Sequence, residues 1–255
     1  MNNLPYEMFL EIFKFLEFKN VFKLKILSKY IYQNILNPII FIQNTKDTKK
    51  RIEIIFKYKL YNLRDTKYII DNIPNKYLQI FFQNSSKYGD LNVIKYLIEL
   101  KNLEIDPSAN NNNNVIVYAA SNGHLHVIKY LIELKDPRID PSDYYNYAIR
   151  WAAYYGHLNV VKYLIELGDP EIDPSILDNW AIKWAAKNGH LYVVKYLMEL
   201  GDSRINPSAE NNEAISWAVH YRHLDVVEYL LNLGDPRIKL SEEDKKIFLS
   251  YYIKN

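Results

Sequence analysis

One line of this sequence is written several times over. WAAYYGHLNVVKYLIELGD at residues 151–169 returns as WAAKNGHLYVVKYLMELGD at 184–202, and AASNGHLHVIKYLIELKD precedes both at 119–136. The glycines that mark the line, Gly89, Gly123, Gly156 and Gly189, lie 34, 33 and 33 residues apart. The next step of 33 lands on Arg222, in YRHLDVVEYLLNLGD. A unit this short buries its apolar side only against another copy of itself. A period near 33 therefore predicts a stacked array and excludes a single closed core.

Each unit has a local reading. AIRWAAYYG is short, rich in alanine and aromatics, and ends at a glycine, as a helix C-terminus does. HLNVVKYLIELG reads as a second helix, with Leu158, Val161, Leu164, Ile165 and Leu167 along one side. Lys162 and Glu166 lie four apart on the other side, as do Lys129 and Glu133, and Lys195 and Glu199. Such pairs contribute a few tenths of a kcal/mol at most and mark the wet face. Gly168 ends the helix, and DPEIDPS comes next, where two Asp-Pro steps supply turn and extended geometry. The alanine pairs Ala152–Ala153 and Ala185–Ala186 leave room for neighbouring helices to approach. Each unit is thus helix, tight turn, helix and extended finger, and the fold class is all-α.

The pattern A-A-x-x-G-H-L-x-V-V-x-x-L-x-x-x-G, nearly complete at 152–168 and 185–201, resembles the ankyrin repeat. It recurs with changes at 119–135 and 218–234, and in degraded form at 85–101. The resemblance implies a solenoid of about five ankyrin repeats over residues 74–240. The family opens its first helix with Thr-Pro-Leu-His. Here the matching positions read Tyr147-Ala148-Ile149-Arg150 and Trp180-Ala181-Ile182-Lys183. The hydrogen bonds that the family's Thr and His make between units are therefore missing, and a variant finger is expected.

Repeats allow the chain to be compared with itself. The alanine pair, His-Leu, the valine pair, Tyr-Leu and Asp/Asn-Pro-Ser hold still. The varied positions of the first helix fall three and four apart, on one face. They are Asn114, Val117 and Ser121; Tyr147, Arg150 and Tyr154; Trp180, Lys183 and Lys187; Glu213, Ser216 and His220. The finger tips vary as well, at Asp143-Tyr144-Tyr145, Ile176-Leu177-Asp178 and Ala209-Glu210-Asn211. A fixed frame with one varied face reads as a recognition surface or as drift on an unconstrained one. The middle units are richest in Tyr, Trp and basic groups, the types that anchor interfaces. Tyr144, Tyr145, Tyr147, Arg150, Tyr154, Trp180, Lys183, Lys187, Ser216 and His220 are accordingly the candidate target-binding residues.

Other chemistries find little support. Cysteine is absent, which excludes disulfides and cysteine-ligated zinc. Net charge is +2, and the short cluster Lys46, Lys49, Lys50 and Arg51 reads as a solvated face or linker, so no nucleic-acid partner is expected. His124, His157, His190 and His223 recur at the repeat period, which assigns them to the frame at the start of the second helix rather than to a metal or catalytic site. Trp151, Trp184 and Trp217 read as packing between units. The seven glycines serve the repeat and form no phosphate loop, and no cofactor is expected. The run at 110–114 reads as a swollen finger loop that accounts for the one 34-residue spacing. Glu7 and Glu11 interrupt the first apolar stretch, which excludes a signal peptide, and no stretch is long enough for a bilayer. A cytoplasmic, monomeric protein without membrane contact is expected.

Residues 1–42 depart from the repeat. Pro5 suits a first helical turn, Met8, Phe9, Ile12, Phe13 and Leu16 recur at helical spacing, and a break at Lys19-Asn20 separates further short helices. A bundle of three such helices buries little surface alone. LPYEMFLEIFKFLEFKNVFKLKILSKYIYQNI resembles an F-box, through Leu4, Pro5, Glu7, Ile12, Leu16, Val21, Leu24, Ser28 and Lys29. The family's following Trp is replaced by Tyr30, Ile31 and Tyr32. The other reading of this segment is a helical cap over the first repeat. Residues 43–73 are helical in pattern, a linker or decayed repeats. Residues 241–255 begin with Ser241 and Asp244 in a capping-box-like start and read as a helix that covers the last repeat.

An F-box joined to ankyrin repeats implies a non-enzymatic substrate receptor of a cullin-type ubiquitin ligase. The resemblance implies that Leu4, Pro5, Ile12, Leu16, Val21, Leu24, Ser28 and Lys29 bind the ligase's small adaptor protein while the repeats hold a protein target. The alternative is a plain ankyrin scaffold or inhibitor with no ligase connection. The repeat wording and the abundance of Ile, Lys, Asn and Tyr resemble the ankyrin proteins of giant DNA viruses of amoebae, which would make the target a host protein.

Overall fold

The computed structural model describes residues 75–100, 105–107, 114–169 and 171–253, with positions 52, 67, 70 and 71. The chain divides into two compact units, 1–78 and 79–255. The F-box-like segment, and with it Leu4, Pro5, Ile12, Leu16, Val21, Leu24, Ser28 and Lys29, lies outside the described residues.

Among the described residues there are eleven α-helices and no strand. They come in pairs: α1 Leu78–Tyr88 with α2 Leu91–Glu99, α3 Asn114–Ser121 with α4 Leu125–Glu133, and α5 Asp143–Tyr154 with α6 Leu158–Glu166. Next are α7 Ile176–Lys187 with α8 Leu191–Glu199, α9 Ala209–His220 with α10 Leu224–Asn232, and α11 Glu242–Ile253 alone. First helices pack on first helices, α3 on α5 on α7 on α9 on α11, and second helices on second helices. The chain is an all-α repeat protein. No described helix is long and apolar enough to cross a membrane.

The core repeats as the sequence does. Each second helix buries the same three positions: Val93, Ile94 and Leu97; Val127, Ile128 and Leu131; Val160, Val161 and Leu164; Val193, Val194 and Leu197; Val226, Val227 and Leu230. Each such side chain contributes roughly 1.5–3 kcal/mol on burial. The apolar side is narrower than the spacing predicts, since Leu158, Ile165 and Leu167 stay partly exposed. The first helices meet more closely than the second because Ala119–Ala120, Ala152–Ala153 and Ala185–Ala186 are fully buried where they touch. In α1 the same places hold Ser85 and Ser86, also fully buried. Ser85 donates to the Phe82 carbonyl at 2.8 Å. The Ser86 hydroxyl has no partner among the described residues.

The turn between the two helices of a unit also joins that unit to the next. Gly156 sits at φ +77, and a Cβ built there would lie 2.5 Å from Nδ1 of His190 in the following unit. The His190 ring donates from Nε2 to the Tyr154 carbonyl at 2.8 Å. His157 reaches Ser121, and His124 reaches Lys87, in the same way at 3.0 Å. A carbonyl only accepts, so the proton is on Nε2. Each histidine stands at the start of its second helix without capping it. Its side chain serves the joint behind it. Burial, with the neighbouring His157 and His223 as lesser causes, holds His190 below the usual imidazole range, so it stays neutral at neutral pH. In the first unit Asp90 takes the histidine's place and caps its own helix, accepting from Val93 N–H at 3.1 Å.

The last described helix, α11, packs on α9. Ser241 Oγ accepts the Asp244 N–H at 3.0 Å and donates to its Oδ2 at 2.8 Å, closing the first turn. Asp244, though buried, is joined to α9 by Ser216, which donates at 3.1 Å. The Tyr251 hydroxyl donates to the Val219 carbonyl at 3.3 Å.

Candidate interaction face

Three fingers close with an Asp/Asn-Pro-Ser turn. Asp140 accepts the backbone N–H and the hydroxyl of Ser142, at 2.7 and 2.6 Å, and Asp173 with Ser175 and Asn206 with Ser208 repeat the arrangement. Beyond each turn stand three left-handed residues: Tyr144, Tyr145 and Asn146; Leu177, Asp178 and Asn179; Glu210, Asn211 and Asn212. The N–H of the third returns to the serine carbonyl, at 2.9, 2.7 and 3.0 Å for Asn146, Asn179 and Asn212. A left-handed residue with a Cβ costs roughly 1–2 kcal/mol, and Asn and Asp are the side chains that bear it best.

The third residue is asparagine each time, and its amide crosses to the next finger. Asn146 accepts from Asp173 N–H at 3.0 Å and donates to the Glu171 carbonyl at 3.0 Å. Asn179 accepts from Asn206 N–H at 2.7 Å, and Asn212 from Lys239 N–H at 2.9 Å. At the near end Gln79 makes both bonds to Asp106, at 2.8 and 3.1 Å. This ladder of amides ties finger to finger. It stands where the resemblance to ankyrin repeats leaves the links between units missing.

The varied face resolves into columns of different depth. Val117, Arg150, Lys183 and Ser216 form one column, and it points between units. Arg150 is 6% exposed and donates to the carbonyls of Tyr145 and Tyr144 at 2.8 and 3.2 Å, holding the left-handed turn shut. Burial pushes its guanidinium below the usual arginine range. Lys183 is 4% exposed and pairs with Glu210, and at 3.4 Å with Glu213, of the next unit. Ser216 bonds Asp244. His220 lies 3.3 Å from Asp244 Oδ1 and 2.9 Å from the Ser216 carbonyl. Arg150 and Lys183 are therefore withdrawn from the surface on which sequence reasoning sets them. Arg150 is spent on its own turn, whereas Lys183 meets carboxylates of the next unit.

The outer columns carry a continuous aromatic row. Tyr144 meets Tyr145 and Tyr147, with centroids 6.0 and 5.1 Å apart, and Tyr147 meets Trp151 at 5.7 Å. Trp151 stacks on Tyr155 at 5.6 Å and touches Tyr154 at 5.1 Å. The row crosses to α7 through Tyr154 stacked on Trp180, runs on through Trp180 on Trp184, and reaches Trp217 on α9 at 5.2 Å. The row holds two internal cations. Arg150 lies 4.8 Å from the Tyr147 ring and 5.2 Å from Trp180. Lys187 lies 4.0 Å from Trp184, 4.8 Å from Trp217 and 5.3 Å from Tyr221. The tryptophans do pack between units, and they are half-exposed while doing so. Tyr144, Tyr145, Tyr155 and Tyr221 are exposed, Tyr145 most of these at 63%.

The second helices are linked differently. Lys95, Lys129, Lys162 and Lys195 reach over the rings of Tyr130, Tyr163, Tyr196 and Tyr229 in the following unit, at 5.2–5.3 Å. Burial and, second, the preceding unit's glutamate raise these phenols above the usual tyrosine range. The lysines thus serve the joint rather than the same-helix glutamates expected from a spacing of four.

The structure brings Tyr144, Tyr145, Tyr147, Tyr154 and Trp180 into one connected set with Trp151 and Tyr155, which sequence reasoning leaves out of the face. It places Lys187 among Trp184, Trp217 and Tyr221, and Ser216 and His220 beside Asp244. Among the described residues no group of three metal-binding side chains converges.

Two family models match the chain. The ankyrin repeat model matches residues 82–178 and 171–240, and the F-box domain model matches residues 1–43. No curated protein matches.

Proposed function

We propose that this chain, which belongs to the ankyrin repeat family, is the substrate receptor of a cullin-type ubiquitin ligase. The observation that carries the reading is the F-box match at residues 1–43 ahead of ankyrin repeats on the same chain. Ankyrin repeats and F-box domains are both protein-interaction modules, and together they fit an adaptor for this class of ligase. In this reading Leu4, Pro5, Ile12, Leu16, Val21, Leu24, Ser28 and Lys29 hold the ligase's small adaptor protein. The first-helix face and finger tips hold the target. The chain itself makes or breaks no bond. It acts by proximity, keeping the target beside a ubiquitin-charged enzyme and raising its effective concentration there. If the source is a virus, as the repeat wording suggests, the target is a host protein.

The test is a pull-down of the purified small cullin adaptor by the full chain, beside a Leu4→Ala/Pro5→Ala variant. Capture that the double substitution abolishes is the expected result. No capture by a folded chain, shown by a cooperative thermal transition, would overturn the receptor reading and leave a plain ankyrin scaffold.

A further inference from the structure

The aromatic row already binds cations. Arg150 lies between Tyr147 and Trp180, and Lys187 lies among Trp184, Trp217 and Tyr221, all within the distance at which a ring face attracts a cation. Five rings of the same row carry no cation of the described residues: Tyr144 and Tyr145 at the finger tip, and Trp151, Tyr154 and Tyr155 toward the far end of α5. The repeat explains the difference at the far end. Lys187 sits over the rings in one unit, and the equivalent place one unit earlier is Tyr154, a ring instead of a cation.

The finger tip shows a second feature. Tyr144 and Tyr145 are 46% and 63% exposed and lie in the left-handed region, where Asn or Asp would be cheaper. The equivalent places in the last finger are Glu210 and Asn211. Bulky, exposed side chains held in a costly conformation contribute nothing to the core, an arrangement that fits use at a surface. Beneath them the buried Arg150 is spent on their own carbonyls, and carboxylates of the next finger stand on the outer side. Asp178 occupies Tyr145's place in the next finger, exposed and with no ion pair among the described residues. Glu171 reaches Ser142 at 3.3 Å, while Arg204 is engaged by Asp202 and Asp173. Neighbouring units stand roughly 8–10 Å apart, about a Debye length at physiological salt, so a guanidinium on the Tyr145 ring feels the field of the Asp178 carboxylate.

We propose that the first-helix face recognises an arginine- or lysine-bearing segment of its protein partner, with cationic side chains seated on Tyr144–Tyr145 beside Asp178 and on the Trp151–Tyr155 stack. The inference rests on the reading of the repeats as the target-holding part, and it names the chemistry of that target.

The test is fluorescence anisotropy on the full chain at physiological salt. The probes are a labelled glycine–serine peptide bearing three arginines, and the same peptide with three lysines or three glutamines. The arginine and lysine peptides bind and the glutamine peptide does not. Tyr144→Asn/Tyr145→Asn weakens the arginine peptide at least about tenfold, while its thermal midpoint equals or exceeds the parent's, because both asparagines suit the left-handed turn. Asp178→Asn weakens it by a smaller factor and flattens the dependence on salt. Equal binding of the glutamine peptide, or undiminished binding by the double variant, would overturn the inference. A ubiquitinated target that docks on this face through an acidic or apolar segment would overturn it as well, yet leave the receptor reading standing. The stated peptide binding together with no capture of the cullin adaptor would do the reverse.

Discussion

Two joints of the stack use the same backbone and different residues. Between the third and fourth units Gly156 takes a left-handed turn, and the His190 ring of the next unit sits where a Cβ would go. At the last turn Arg222 takes the same conformation, at φ 64, with a full side chain. The neighbouring element makes the difference. Beyond the last repeat stands α11, which brings no histidine, and the Arg222 guanidinium instead lies 4.5 Å from the Tyr251 ring. Glycine in this repeat is therefore required twice over inside the stack, for φ and for space, and only once at its end. A protein whose stability is a sum of units and joints can vary its ends as its interior cannot.

The largest effect should come from putting a methyl group where the ring is. Gly156→Ala should cost about 3–4 kcal/mol, combining a left-handed alanine, the overpacked contact and a displaced His190 bond. Arg222→Gly should change stability by less than about 1 kcal/mol, since relief of the left-handed turn offsets the lost cation–π contact. Urea unfolding of both variants checks this. In a double-mutant cycle, Gly156→Ala with His190→Ala should lose much less than the two single losses summed. Additive losses would show that the turn, and not the ring, demands the glycine.

The amide ladder gives the same contrast at lower amplitude. Asn146 is 3% exposed and holds both a backbone N–H and a carbonyl of the next finger, whereas Asn212 holds the N–H of an exposed Lys239. Asn146→Ala should therefore cost about 2 kcal/mol by giving up two part-buried bonds, and Asn212→Ala about 1 kcal/mol, because its single bond is exposed and water replaces its partner. Amide hydrogen exchange at Asp173 and Lys239 separates the cases: protection should fall sharply at the first and little at the second. Equal losses at both sites would mean that the ladder acts within its own turn rather than across the joint.

These devices are legible in the sequence to different degrees. The helix pairs, the finger and the frame follow from periodicity, because each second helix repeats a local apolar pattern. The ladder is also there, since Asn146, Asn179 and Asn212 recur at the repeat step, but a search for chemistry-bearing residues passes over an amide. The left-handed turn is hidden, because Tyr144 and Leu177 are poor residues for it and no local rule predicts them there. Arg150 and Lys183 are misplaced for a related reason. Variation among repeats reads as exposure, yet a buried position also varies when its partners differ, in its own turn for Arg150 and in the next unit for Lys183. The lysines of the second helices reach a tyrosine about thirty-four residues on, and spacing within one helix cannot show that.

The near end of the stack offers the smallest test and the one with the opposite sign. At the close contact between first helices, alanine fills the interior units and serine fills α1. Ser85 returns its hydroxyl to its own helix, but Ser86 is fully buried with its hydroxyl unpaired among the described residues. A stranded hydroxyl costs roughly 1–3 kcal/mol relative to a bonded one, and alanine in its place removes the cost together with one small atom. Ser86→Ala should thus stabilise the stack by about 1 kcal/mol, whereas Ser85→Ala, which gives up a bond already made, should be within about 0.5 kcal/mol of neutral. Thermal unfolding of the two variants side by side decides it, with Ser86→Ala expected to raise the midpoint by a few degrees. A midpoint lowered by Ser86→Ala would mean that this hydroxyl is bonded in solution. The first unit would then be matched to its neighbours by polar contact rather than by the apolar packing that the interior units use.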